Sequence, residues 1–192
     1  MAPDGMASEP EAASVPSLKR FFDRLVRRSL GDLWLSGEPV ADYLAALLAR
    51  FARTDQLYAL RDATGQPLET VVEMLLEIER AWTFDDPRFD PFREREVRQH
   101  IGDYTLFMTG IFCEHVERRA STRFYVREGK RAYGVVADFE RSALRPQARL
   151  FAALAAGFEV YASALSYMKR VYLRPTDSPP AFRPTLRLLT EW

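Results

Sequence analysis

REREVRQHIGDYTLFMTGIFCEHVERR, residues 93–119, decides the fold: it holds both histidines and the only cysteine of the chain around an apolar middle. From Tyr104 to Cys113 no residue is charged. That run is too long for a typical strand, and between polar flanks it reads as one helix buried on all sides. The sequence therefore predicts a central helix over about 94–119, with the rest of the core built around it.

Working outward, Leu18, Phe21, Phe22, Leu25, Val26, Leu30, Leu33 and Trp34 recur at helical spacing behind Ser17, which is placed as an N-cap. Val40, Tyr43, Leu44, Leu47, Leu48 and Phe51 give a second helix ending near Thr54, and Pro67 opens a third to about Trp82. On the other side Ser121 caps a helix to about Ser142, in which Gly129, Ala132 and Gly134 permit close approach to a neighbour. Pro146 opens a sixth helix ending near Leu173. The segment TFDDPRFDPF, residues 83–92, reads as an ordered loop whose Phe84, Phe89 and Phe92 return to the core. Pro175, Pro179, Pro180 and Pro184 make 174–192 an extended tail, docked through Leu188, Leu189 and Trp192. No alternating pattern survives comparison with the helical one. The expectation is an all-α, single-domain bundle of about six helices spanning 16–173, behind a disordered leader at 1–15.

Composition narrows the function classes. With 192 residues, 47% of them hydrophobic, the chain supports one sizeable core. Basic and acidic residues both number 27, so no global field recruits nucleic acid or an anionic membrane. A lone Cys113 in an apolar run excludes an intramolecular disulfide and suits a reducing cytosol. The first residues, MAPDGMASEPEAASVP, lack the basic and apolar regions of a secretory signal. Leu150–Met168 is long enough to cross a bilayer and carries one charge, but it is rich in alanine and holds Glu159 near its middle, so a buried helix is expected instead of membrane insertion.

Chemistry is harder to place. On a continuous helix Glu96, His100, Asp103, Phe107, Glu114 and Arg118 share a stripe, with His115 at its margin. Asp103, three residues after His100, is placed to orient the imidazole and favour its charged form. Two histidines among many carboxylates invite a ferritin-like di-metal reading, yet that site needs Glu-x-x-His twice and the chain has Glu96-x-x-x-His100. A straight helix would also hold His100 and His115 about 22 Å apart. Cys113 and His115 splay on a helix, and no nucleophile elbow or glycine-rich phosphate loop occurs. Glu159 is expected to be at least half buried and paired with His100 or an arginine of the central helix. Lys19, Arg20, Arg24, Arg27 and Arg28 form a basic face on the first helix, and Glu69, Glu73 and Glu77 an acidic one on the third.

The sequence reading is a non-enzymatic, cytoplasmic helical binding or adaptor module with a protein partner, needing no cofactor and recognising no specific nucleic acid. The alternative is a small-molecule or metal-dependent enzyme with a pocket around His100 and Asp103, and the binding residues expected are His100, Asp103 and Glu159.

Overall fold

The amphipathic first third folds as a helical hairpin. In the computed structural model, which describes residues 15–62, 64–81 and 90–190, α1 (Val15–Asp32) packs along α2 (Glu38–Phe51). Leu18, Phe22 and Val26 of α1 and Leu44, Leu47 and Leu48 of α2 are buried in the core. The short α3 (Thr54–Leu57) and α4 (Val71–Ala81) follow, then α5 (Pro91–Ile111), α6 (Cys113–Arg119), α7 (Thr122–Ser142), α8 (Gln147–Ala156), α9 (Phe158–Tyr172) and, after two single 3-10 turns, α10 (Arg183–Thr190). The described residues contain no strand beyond one isolated bridge between Arg61 and Pro67. The result is an all-α, single-domain bundle.

α5 is its centre. Asp90 starts it by accepting from the backbone N–H groups of Phe92 and Arg93, with Pro91 in the first turn. Every residue from Ile101 to Phe112 is buried, and α5 packs against α2, α4, α7 and α9. Close approach to α7 depends on two glycines. A Cβ on Gly102 would stand 2.6 Å from the ring of Tyr133, and one on Gly129 would collide with Phe158 and Thr105. Gly129 and Ala132 thus do what the sequence predicts of them, while Gly134 has nothing near it.

Several boundaries depart from the sequence reading, and the described residues form ten α-helices where about six are expected. The central helix does not run unbroken to Arg119: Phe112 leaves helical geometry at φ −117°, ψ 35°, and its ring turns inward against Phe107. Lys169 Nζ donates 2.7 Å to the carbonyl of Ile111 left open there. The sixth predicted helix is two, α8 and α9, bent by 79° at Gly157. No single helix among the described residues is long and apolar enough to cross a membrane. α4 begins at Val71, not Pro67, because Thr70 and Glu73 form a reciprocal cap. Glu73 accepts from the N–H groups of Glu69 and Thr70, and the Thr70 hydroxyl accepts from Glu73 N–H.

The tail is helical where it was expected to be extended, with α10 burying Leu186 and Leu189 while Leu188 stays exposed. Phe92, expected in the core, is exposed with its ring edge against Phe139. Phe84, Phe89 and Trp192 lie outside the described residues, as do residues 1–14 of the expected leader.

Two helix ends share an unusual terminator. After α1 the N–H of Leu35 bonds to Leu30 C=O at 2.8 Å, and after α7 that of Arg145 bonds to Glu140 C=O at 2.8 Å. Each pairing closes a turn whose penultimate residue is left-handed, a position where glycine is usual. Trp34 (φ 56°) and Leu144 (φ 53°) occupy it here, and they are 95% and 93% exposed. A residue with a Cβ pays roughly 1–2 kcal/mol for that conformation.

Candidate functional site

The carboxylate of Asp103, 1% exposed, is the meeting point of three helices. Tyr43 of α2 and Tyr133 of α7 each donate a hydroxyl to Oδ1 at 2.7 Å, and Arg50 Nη2 of α2 donates to Oδ2 at 2.5 Å. Gly102 makes this possible by letting the Tyr133 ring lie against the α5 backbone. The hydrogen bonding continues along α5: Gln99 Nε2 donates to Tyr43 at 3.1 Å, and Arg95 Nη1 to Gln99 at 2.8 Å. Arg95 Nε then donates 2.6 Å to the fully buried Glu140 of α7, whose other oxygen lies 3.6 Å from Arg145 Nη1. Burial, and then the Asp103 charge, pushes the phenols of Tyr43 and Tyr133 well above their ordinary range, so both remain proton donors.

His100 lines the same small cleft as Asp103, about 220 Å³ with Arg50, Gln56, Glu96 and Gln99 around it, but no hydrogen bond joins the two. Its Nε2 lies 3.2 Å from the carbonyl of Leu57. A carbonyl only accepts, so Nε2 carries the proton and Nδ1 is the acceptor. The ring sits edge-on to Phe51 and stacked on Tyr104. Burial holds its pKa below the usual imidazole range, outweighing the Asp103 charge that pulls the other way. The expectation that Asp103 orients His100 and favours the imidazolium is therefore corrected: Asp103 serves Arg50 and two tyrosines, and His100 is a neutral donor to the backbone.

Glu159 is corrected as well. Its side chain is 56% exposed and pairs with Lys130 Nζ at 2.9 Å: after the bend at Gly157, Phe158 faces the core and Glu159 faces solvent. The break at Phe112 likewise takes Glu114, His115 and Arg118 off the predicted stripe. Among the described residues no group of three or more His, Cys, Asp or Glu side chains is placed to hold a metal ion. Cys113 Sγ sits 3.7 Å from Ser166 Oγ. The basic face of α1 is partly neutralised, with Lys19 bound to Asp42, and Arg27 to Asp23 and Glu38.

Sequence reasoning missed Tyr43, Arg50 and Tyr133 as partners of Asp103, and it missed Glu140. Glu140 continues the buried α7 series Gly129, Ala132, Tyr133, Val136 and Ala137 at helical spacing, and that phase alone marks it as a carboxylate needing an internal partner. Comparison with known proteins finds no matching family, no matching curated protein and no matching solved structure.

Proposed function

We propose that the protein is a non-enzymatic, cytoplasmic helical binding module, and that its partner protein docks an acidic amphipathic helix along α4. One observation carries the reading: Val72 and Leu76, one helical turn apart, are 55% and 47% exposed, beside a groove of about 500 Å³ between α4 and α7. Aliphatic pairs at that spacing are what a helix-in-groove interface covers, and leaving them in water forgoes their burial energy. Leu75, Ile78 and Phe124 line the groove. Its α7 wall carries Arg127, bound to Glu128 at 2.8 Å, and Arg131, with Arg123 one turn before them on the same exposed face. Arg123 and Arg131 have no ion pair among the described residues. An acidic flank on the incoming helix meets that wall.

The polar interior supports the same reading. To take a proton from a substrate, Asp103 would have to exchange one of its three internal donors, and His100 would have to leave Leu57.

The test compares the wild-type chain with a Val72→Glu/Leu76→Glu variant as bait in its native host, after circular dichroism has shown equal helicity. The expected result is a partner retained by the wild type, lost with the variant, and displaced by a synthetic acidic helix taken from that partner. Identical capture by both chains would overturn the reading.

A further inference from the structure

The turn between α7 and α8 combines positive charge with apolar exposure. Arg141, Arg145 and Arg149 line a cleft of about 510 Å³ with Leu144, Pro146 and Ala148, and no acidic residue lines it. Two acids lie near it, and both are engaged. Asp138 is bound to Arg141 at 2.5 Å, and the buried Glu140 gives one oxygen to Arg95 while the other lies 3.6 Å from Arg145. Arg149 is exposed and has no ion pair among the described residues. Guanidinium groups clustered at an open cleft present the planar donors that phosphate oxygens accept.

Leu144 decides which phosphate. It stands at the tip of the turn, 93% exposed, at a left-handed position where glycine is the default. Neither packing nor local conformation accounts for a leucine there. A free phosphate ion has no use for it, whereas a lipid surface covers the side chain with the acyl boundary while the headgroup phosphates meet the arginines. We propose that this turn is a peripheral membrane contact: Leu144 enters the interface of an anionic phospholipid bilayer and Arg141, Arg145 and Arg149 bind its headgroup phosphates. The contact is separate from the α4 groove and does not depend on it.

Sedimentation of the full chain with vesicles tests this. Binding is expected to vesicles of phosphatidylcholine containing a third phosphatidylserine, to be weak with phosphatidylcholine alone, and to be lost at high salt. Arg141→Gln/Arg149→Gln, chosen because it leaves Arg145 beside Glu140, should weaken binding on the order of thirty-fold. Leu144→Ser should weaken it at unchanged surface charge, and Val72→Ser/Leu76→Ser, likewise neutral, should leave it intact. Equal binding to neutral and anionic vesicles, no binding to either, or an unaltered affinity in the arginine variant or in Leu144→Ser would each overturn the proposal.

Discussion

At the scale of single residues, Asp103 is where the sequence's candidate chemistry becomes structure. Replacing it by Asn keeps an acceptor for the two tyrosines and removes the charge that balances Arg50. Breaking a buried pair from one side costs about 3–5 kcal/mol; since the Arg50 side chain is 40% exposed, the expected loss is about 2–3 kcal/mol by urea denaturation. His100 gives a second outcome. Its folded pKa is lowered by burial, so below the unfolded value the unfolded chain binds more protons than the native one. Stability is thus fully present above about pH 6.5 and is lost as pH falls toward the folded pKa. Denaturation curves at pH 7.5 and 5.5 should show this drop, and His100→Gln, which retains a donor for Leu57, should reduce it. An equal drop in the variant would assign it to other groups. The identity of these residues was legible from their spacing on one helix. Their partners were not, because Tyr43, Arg50 and Tyr133 lie 60, 53 and 30 positions away in the chain.

At the scale of elements, what could be read depended on whether the signal was local. The sequence predicts α7 within one residue because Ser121 caps it directly, its hydroxyl accepting from Phe124 N–H. The Thr70–Glu73 cap of α4 and Gly157 were equally local, and both are readable once the capping pattern is given precedence over the apolar run. The break at Phe112 has no proline behind it, and Gly110, two residues earlier, is still helical; the open carbonyl of Ile111 is met by Lys169 from α9, a contact 58 positions distant. The α1 terminator offers a clean test at this scale. Trp34 is left-handed and almost wholly exposed, so glycine there relieves backbone strain and removes little packing. Trp34→Gly should raise stability by about 0.5–1 kcal/mol, the strain relief less the extra freedom glycine gives the unfolded chain. A loss of stability would mean that the indole packs on the fold after all.

At the scale of the molecule, the polar chain from Arg50 to Arg145, buried at Asp103, Tyr133 and Glu140, joins α2, α5, α7 and the turn before α8 through the bundle. Such a chain defines one packing, because sliding α7 by a turn would take Tyr133 from Asp103 and part the buried Glu140 from Arg95. It also makes the fold sensitive to alkali. The phenols of Tyr43 and Tyr133 are raised first by burial and then by the Asp103 charge, and Tyr104 is raised chiefly by burial. A group whose folded pKa lies above its unfolded value holds its proton longer in the native state. Its stabilisation is therefore present below about pH 10 and is lost as pH rises beyond it. The chain has eight tyrosines. Followed by absorbance at 295 nm, some should ionise near pH 10, while these three should remain silent until a cooperative transition that coincides with loss of the helical circular dichroism signal. Smooth ionisation of all eight with helicity intact would show that the Asp103 cluster opens to solvent without unfolding, and that the bundle does not depend on it for its packing.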